Sequence, residues 1–303
     1  MIAKSSLRVL VTGASGMLGA SLTNSLVCTG YNVYATGNSR ADFLCKEAKF
    51  CITDLKSESF KGLLEWSKPD VIIICAAITD SNYCNQHPYE AIEVNAFSVK
   101  RLAEQAKNNV KFIFISTDAV FSSSTHMAVE SDCCNPETVY GKSKELGEFL
   151  LQKSDKKFFI IRTTIVGLNL NRAKTSFAEW ILASARGNQP INLFEDVLFT
   201  PISIWHLIDE IKFLLKIDRY NNSTYHICST NYISKYSFGV SLLKLTHPGY
   251  CLINRSSIED YAGRIGRSSD QTLSSKLYQN TFDRFLPSAE EACIAIGRNY
   301  DQY

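Results

Sequence analysis

Short apolar segments alternate with segments of helical periodicity through the first half of this 303-residue chain. The apolar runs are rich in Val, Ile and Phe and occupy residues 7–12, 31–36, 70–76, 110–116 and 158–164. Strands that are apolar on both faces and that alternate with helices are typical of a parallel sheet covered by helices on both sides. The sequence therefore predicts an α/β fold with a doubly wound parallel sheet.

This alternation weakens after about residue 165. Beyond that point residues 176–188, 203–216 and 235–245 have helical spacing and are separated by loops. The chain shows no internal repeat and no flexible linker. We therefore expect a first domain over residues 1–165 and a smaller mixed lobe over residues 166–303, packed tightly together and exchanging some strands.

The charge balance and the cysteines exclude several classes of protein. A net charge of +2, from 32 basic and 30 acidic residues, favours neither nucleic acid nor a membrane as a partner. The N-terminal segment runs directly into a strand, which indicates the cytoplasm. None of the ten cysteines has C-x-x-C spacing and the five histidines are scattered, so we expect reduced thiols and no metal. Cys133 and Cys134 are expected to be exposed thiols.

The segment "TGASGMLG" follows the first predicted strand and opens an amphipathic helix, with glycines at positions 13, 16 and 19. Glycines at this spacing permit a tight turn, a close approach of a pyrophosphate and close packing of helix on strand. A turn that binds nothing is the alternative, but the position favours a Rossmann dinucleotide site. The residues expected to contact the cofactor are Gly13, Ser15, Gly16, Met17, Leu18 and Gly19.

The end of the second predicted strand bears on the choice of cofactor. NAD-binding chains place an acid about 20 residues beyond the glycines, for the ribose hydroxyls. Here Asn38, Ser39 and Arg40 precede any acid and suit a 2′-phosphate. This favours NADP(H), while Asp42 keeps NAD(H) possible. Asp54 is placed either to accept the adenine amine or to cap a helix.

Polar residues close the fourth predicted strand, in "STDAVF" at residues 116–121, and the segment "VYGKSK" follows at residues 139–144. Tyr140 and Lys144 are one helical turn apart and share a face, so the lysine charge is expected to lower the pKa of the phenol. Thr117 is then placed to hydrogen-bond the same substrate oxygen. Together with the glycine motif, this combination indicates nicotinamide-dependent chemistry on a carbonyl or hydroxyl group.

In these motifs the chain resembles the extended short-chain dehydrogenase/reductases, and most closely the dTDP-4-dehydrorhamnose reductase family. The similarity includes "VTGASGMLG", "KPDVIIICAAITD", "ISTDAVF", "ETVYGKSKELGE" and "IIRTTIVG". It implies that Thr117, Tyr140 and Lys144 are catalytic, with Tyr140 protonating a C4 oxygen as NADPH reduces a nucleotide-sugar. It also implies a set of further cofactor contacts: Leu55, Ala76, Ala77, Thr79, Asn95 and Ser116. Asn95 is expected in addition to brace the central helix.

Candidates for contacts to the nucleotide-sugar lie mostly in the second half of the chain, where a guanidinium suits phosphate oxygens. They are Asp118, Arg162, Phe177, Thr200, Pro201, Arg264 and Arg267. Two positions depart from the family pattern, because Ala119 and Ile165 stand where aromatic residues are usual. We therefore expect a wider or differently shaped sugar pocket. A homodimer is possible.

The motifs also bear on other activities in the same superfamily. Dehydratases resemble "TDE" where this chain has "TDA", which disfavours 4,6-dehydration. Epimerases hold NAD through an acid after the second strand, which is not evident here, so an epimerase is an alternative behind a reductase. One branch of the family resembles the regulatory β subunit of methionine adenosyltransferase, which serves as a binding partner. That non-catalytic role is the alternative from a different class of function.

Overall fold

The computed structural model describes residues 7–39, 41–217, 221–260 and 268–300. The strands are β1 (Arg8–Thr12), β2 (Asn32–Gly37), β3 (Lys49–Ile52), β4 (Val71–Ile74), β5 (Lys111–Thr117), β6 (Lys157–Val166), β7 (Ile191–Phe194), β8 (Leu198–Phe199), β9 (Pro201–Ser203), β10 (Ser223–His226), β11 (Ile233–Ser234), β12 (Ile253–Ser256) and β13 (Asp270–Gln271). The α-helices are α1 (Met17–Cys28), α2 (Lys61–Ser67), α3 (Ser81–Gln86), α4 (Pro88–Ile92), α5 (Ser98–Gln105), α6 (Val139–Gln152), α7 (Phe177–Arg186), α8 (Ile204–Leu215), α9 (Lys235–Thr246), α10 (Lys276–Phe282) and α11 (Ala289–Tyr300). A π-helical turn, Glu93–Phe97, joins α4 to α5, and a 3₁₀ turn, Asp118–Val120, follows β5.

The central sheet has the strand order β3-β2-β1-β4-β5-β6-β10, and β9 extends the end of β6. Every pairing in this sheet is parallel. The chain winds outward from β1 to β3 and then outward from β4 to β6, so the order reverses between β1 and β4. The doubly wound Rossmann sheet is therefore confirmed, and its switch point, where such sheets bind ligands, lies between β1 and β4.

The sheet is covered on both faces, which explains its apolar strands. One face packs under α1 and α8, with Leu22, Leu207 and Ile211 in its core. The other packs under α2, α5 and α6, with Phe112 and Phe114 in its core. The edge strand β3 is not among the strands predicted from the sequence, because it is short and only half-buried and so does not form an apolar run.

The second lobe has its own apolar core, built from α7, α9 and α11 around β7 and β8. Two small sheets complete it, with strand orders β11-β8-β13 and β12-β7. Residues that follow position 165 also return to the first domain, because β10 pairs with β6 and α8 packs in the core beneath the central sheet.

The ten cysteines are all free thiols. Cys133 is exposed as expected, whereas Cys134 is half-buried and its sulfur accepts a hydrogen bond from the Arg162 guanidinium at 3.1 Å. Among the helices within the described ranges, none has the length and apolar character needed to cross a membrane.

Candidate active site

A continuous cleft follows the carboxyl ends of the central strands and consists of three cavities. The strand-2 cavity, 400 Å³, lies at the end of β2 and is lined by Gly37, Asn38 and Asp54. The central cavity, 440 Å³, is lined by the glycine loop, Tyr140 and Lys144. The outer cavity, 850 Å³, opens between the first domain and the second lobe. Neighbouring cavities share lining residues, so one elongated ligand or two adjoining ligands fit the cleft.

The glycine loop connects β1 to α1 at the switch point. Gly13 has a φ of +75°, and a Cβ there would lie 2.6 Å from the Cα of Ala76. Gly16 is the N-cap of α1 and has no side chain to accept hydrogen bonds from the first backbone amides of the helix. No side chain therefore caps these amides, which begin the helix beside the cleft. Such a helix terminus favours a phosphate group. Ser15 lines the strand-2 cavity, and the side chains or backbone of Gly13, Gly16, Met17, Leu18 and Gly19 line the central cavity.

The end of β2 presents Asn38 to the strand-2 cavity, 3.5 Å from the Ser15 hydroxyl. Ser39 is exposed and lies outside the lining, as does the exposed Asp42. Arg40, expected to bind a 2′-phosphate, lies outside the described residues. Asp42, the one acid among the described residues from 38 to 42, therefore does not line the strand-2 cavity.

Asp54 and Leu55 line the strand-2 cavity from the end of β3. The carboxylate of Asp54 accepts the backbone N–H of Lys56 at 2.9 Å and so stabilises a turn. The alternative role as a helix cap is wrong, because α2 begins only at Lys61 and its N-cap is Phe60.

The loop after β4 faces the glycine loop across the switch point. Ala76 and Ala77 line the strand-2 cavity, and Thr79 lines the central and outer cavities. Asn95 lines none of the three cavities, so its expected contact with the cofactor is not seen, but its side chain donates to the Ser143 hydroxyl of α6 at 2.9 Å, as expected for a brace. It is buried in the π-helical turn, where it bonds the backbone N–H and carbonyl of Ile78 at 2.8 and 2.9 Å. Asn95 therefore braces the loop that carries the cofactor-facing residues.

Helix α6 carries Tyr140 and Lys144. Thr138 caps the helix by accepting the N–H of Gly141 at 2.9 Å. A Cβ at Gly141 would lie 2.1 Å from the carbonyl oxygen of Ala119, so this glycine lets the helix pack closely against the 3₁₀ turn after β5. The close packing brings Tyr140 beside Thr117, where both line the central and outer cavities.

Polar side chains at the end of β5 form a connected group. The hydroxyl of Thr117 donates to the Asp118 carboxylate at 2.8 Å, and Thr164 from β6 donates to the same carboxylate. Thr117 and Asp118 line the junction of the central and outer cavities. Burial raises the pKa of Asp118, although both hydroxyls oppose the rise. The polar residues at the end of β5 therefore line the cleft, which explains why an apolar strand ends in polar side chains.

The electrostatics of Tyr140 differ from the expectation. Burial raises the pKa of its phenol above the usual value, and Thr117 opposes only part of the rise. Lys144 does not lower it. The ammonium of Lys144 donates to the carbonyl of Ile115 at 2.7 Å and lies over the Phe114 ring, and burial lowers its own pKa to about 7. The phenol therefore stays protonated at neutral pH and is suited to donate a proton.

The lowered pKa of Lys144 predicts how cofactor affinity depends on pH. Below about pH 7 Lys144 is charged and attracts the anionic dinucleotide, and this attraction is lost as the pH rises through about 7. Fluorescence titration of NADPH from pH 5.5 to 9 should show this fall in wild type and in Lys142→Met, which removes an exposed lysine from the same helix. Lys144→Met should lose this component, and an identical profile in all three proteins would contradict the assignment.

Arg162 does not contact the cleft, so its assignment to the substrate is wrong. Its side chain is buried in β6, and it pairs with the buried carboxylate of Glu148 at 2.7 Å. Glu148 lies one turn beyond Lys144 on α6 and also accepts the hydroxyl of Ser116. Ser116 lines the central cavity, while its hydroxyl is committed to this pair. The ion pair thus joins β5, β6 and α6, the elements that carry the candidate catalytic residues.

Breaking this buried pair is expected to destabilise the fold strongly. Arg162→Met leaves Glu148 buried without its partner and should lower the free energy of unfolding by about 3–5 kcal/mol. The double variant Arg162→Met with Glu148→Leu removes both charges and should regain most of that loss. Urea denaturation measures both. Strictly additive losses in the double variant would contradict the coupling.

The remaining substrate candidates fall into three groups. Phe177, at the start of α7, lines both the central and the outer cavity. Thr200 is fully buried and accepts the N–H of Leu273 at 3.1 Å, and Pro201 is buried in β9. Neither lines any of the three cavities, which contradicts both assignments to the substrate. Arg264 and Arg267 lie outside the described residues.

The structure adds lining residues that the motifs do not indicate. Lys174, in the loop between β6 and α7, lines both the strand-2 and the central cavity. Lys235 lines the outer cavity from the start of α9. Thr164 could have been found from its place at a strand end, but neither lysine carries a sequence signal. Ala119 lines the outer cavity and Ile165 the central one, so both departures from the family pattern border the cleft.

Several known proteins are similar to this chain in sequence or in fold. The dTDP-4-dehydrorhamnose reductase of Aggregatibacter actinomycetemcomitans is 29% identical over 91% of this chain and 93% of its own length. Methionine adenosyltransferase 2 subunit beta of Danio rerio is 32% identical over 46% of this chain and 42% of its own. The crystal structure of dTDP-4-dehydrorhamnose reductase from Bacillus anthracis in complex with NADP has the same fold. It superimposes with a TM-score of 0.85 at 22% identity and covers 99% of this chain and 100% of that one.

One family match spans nearly the whole chain. The family described as the RmlD substrate binding domain matches residues 7–300, from the first strand to the last helix. The chain therefore belongs to this family, the dTDP-4-dehydrorhamnose reductase family of extended short-chain dehydrogenase/reductases, which are NAD(P)-dependent oxidoreductases.

Proposed function

We propose that this protein reduces the C4 ketone of a nucleoside-diphosphate sugar with NADPH, in the synthesis of deoxysugar or polysaccharide precursors. The observation that carries the proposal is the meeting of Thr117 and Tyr140 at the junction of two cavities. One cavity holds the features of a dinucleotide site, and the other is a separate, larger space that opens to solvent. A carbonyl group placed at the junction would contact both ligands.

The residues of the inner cleft fit a dinucleotide. The uncapped start of α1 offers backbone amides to a pyrophosphate, and the backbone at Gly13 and Ala76 is packed too closely for a side chain. Asn38 at the end of β2 is polar and uncharged, which favours NADP(H) over NAD(H). A nicotinamide cofactor bound here supplies the hydride that a ketone needs.

The side chains of this chain would then supply the proton and the positioning. Tyr140 gives its phenolic proton to the ketone oxygen as the oxygen gains negative charge, so the carbonyl becomes a secondary alcohol. Thr117, whose hydroxyl donates to Asp118 in this structure, would turn that hydroxyl towards the same oxygen and donate to it. Lys144, whose ammonium donates to the carbonyl of Ile115 at 2.7 Å, lines the same central cavity and would attract the anionic cofactor when it is charged.

We also propose that the two parts of the chain bind different ligands. Residues 1–165 would bind the cofactor, and residues 166–303 would bind most of the nucleotide-sugar. The outer cavity supports this division, because Trp180, Asn192, Phe194 and Lys235 of its lining all belong to the second lobe. The return of β10 to the central sheet supports an exchange of strands across the boundary.

Turnover tests this proposal. Purified protein is mixed with NADPH or NADH and a panel of 4-keto nucleotide-sugars, including the dTDP-4-keto-6-deoxyhexoses, and cofactor absorbance is followed. Oxidation of NADPH that depends on one sugar supports the proposal. Tight NADPH binding without oxidation across the panel contradicts it.

A regulatory role is the second candidate, supported by the similarity of about half of the chain to a methionine adenosyltransferase β subunit. A subunit of that kind would bind a methionine adenosyltransferase and change its kinetics. Mixing the two proteins and measuring synthetase KM and kcat separates the roles. An epimerase is less favoured, because Asp42 is exposed and outside the lining of the strand-2 cavity.

A further inference from the structure

Lys235 occupies an unusual position in the outer cavity. It is the first residue of α9, and its backbone N–H bonds the carbonyl of Val197 at 3.0 Å. Its ammonium lies 3.4 Å from the centre of the Phe199 ring and 5.1 Å from that of Phe177. The two rings hold the charged group at the wall of the cavity.

The protein itself does little to stabilise this charge. Within the described ranges, Lys235 donates no side-chain hydrogen bond and forms no ion pair. The N-terminus of a helix repels a cation, and α9 has no acidic residue in its first turn. Burial lowers the pKa of Lys235 to about 8, opposed by Asp118. A side chain that violates local preferences while lining a cavity indicates a role in binding.

The other charges of the outer cavity are already committed. Asp118 accepts hydrogen bonds from two threonine hydroxyls. Glu137 accepts the hydroxyl of Ser123 at 2.7 Å, and Asp80 caps the start of α3. Among the described residues that line this cavity, Lys235 is the single lysine or arginine. Among the described residues it is therefore the cation placed to meet an anionic ligand there.

The position of Lys235 along the cleft distinguishes between two anions. The ammonium of Lys235 lies over the ring of Phe177, which lines the junction with the central cavity. Asp118 at the same junction interacts with Lys235 electrostatically. In a pyranose reduced at C4, the diphosphate on C1 lies across the ring from the reacting carbon. A cation near the junction would therefore meet a substituent beside C4 and not the diphosphate.

We propose that Lys235 makes this protein selective for an acidic sugar, by binding a carboxylate on the ring carbon next to the reduced ketone. This inference rests on the proposed reductase function and specifies its substrate class. It also agrees with the departures at Ala119 and Ile165, which change the walls around the sugar. A hexuronate carries such a carboxylate, whereas the corresponding hexose carries a neutral hydroxymethyl group.

Binding of a matched pair of ligands tests the proposal without turnover. UDP-glucuronate and UDP-glucose share the base, the diphosphate and the ring, and differ only in the carboxylate; the same pair can be made on dTDP. Calorimetry is done on wild type, Lys235→Met and Lys244→Met, which removes an exposed lysine from the same helix. We expect wild type and Lys244→Met to prefer the uronate by about tenfold or more. In Lys235→Met the preference should disappear.

The ratio of the two affinities is informative even if a variant is partly unfolded, because unfolding lowers the apparent affinity for both ligands by the same factor. Equal affinities in wild type, no binding of either ligand, or a preference that survives in Lys235→Met would overturn the proposal. Equal weakening of both ligands and of UDP alone would assign Lys235 to the diphosphate instead, and would also overturn it. The reductase function is tested separately by turnover on the keto-sugar panel. A negative result in the binding experiment therefore rejects the role of Lys235 without rejecting the proposed function.

Discussion

Replacing Tyr140 by Phe is expected to lower kcat for ketone reduction by about 10²- to 10⁴-fold, the usual effect of removing a general acid. The substitution keeps the ring and removes only the hydroxyl at the junction of the central and outer cavities. Because the proton is needed only as the oxygen gains charge, kcat and kcat/KM should fall by similar factors. NADPH should bind as tightly as before.

Tyr89→Phe is the matched control, since Tyr89 is 86% exposed and lies outside the lining of all three cavities. It should keep full activity. Normal turnover by Tyr140→Phe would mean that another group donates the proton. A loss of NADPH binding in that variant would mean that the phenol holds the cofactor and that the activity loss is indirect.

Gly13→Ala is expected to have the second large effect. A Cβ at this position would lie 2.6 Å from backbone atoms of Ala76, and the φ of +75° is itself unfavourable for alanine. The loop after β4, which carries Ala76, cannot move aside without disturbing the switch point. We expect the free energy of unfolding to fall by about 3 kcal/mol or more, and NADPH binding to be lost in the protein that remains folded.

Gly62→Ala provides the comparison within the same chain. Gly62 lies in α2, and an added Cβ there would meet nothing within 4 Å. Alanine favours a helix, so this variant should be neutral or more stable by about 0.5–1 kcal/mol. Urea denaturation measures both variants. Equal stability of the two would show that the glycine loop tolerates a side chain and that its close packing is not required.

The fold could be predicted because its determinants are local. Strands β1, β4, β5 and β6 are buried on both faces and appear as apolar runs, and the glycine motif is the turn that the first of them needs. Short strands of the second lobe, such as β8 and β11, have only two residues each and no periodicity to detect. Their pairing depends on how the lobe packs.

The site could be predicted in part for the same reason. Thr117, Tyr140 and Lys144 come from a strand end and one helical turn, which the sequence displays directly. The role of Arg162 could not be predicted, because a sequence shows a guanidinium but not whether it contacts a phosphate or the buried carboxylate of Glu148. The direction of the pKa shift of Tyr140 depends on its burial, and that burial follows from tertiary packing.

Transfer of deuterium is the measurement that tests the central claim most directly. NADPH carrying deuterium at both C4 positions of the nicotinamide is incubated with the protein and a 4-keto nucleotide-sugar, and the product is analysed by NMR and mass spectrometry. The reductase account predicts a single deuterium on the former carbonyl carbon, and loss of this product in Tyr140→Phe. Recovery of the keto sugar unchanged, with the labelled cofactor bound and intact, would contradict it.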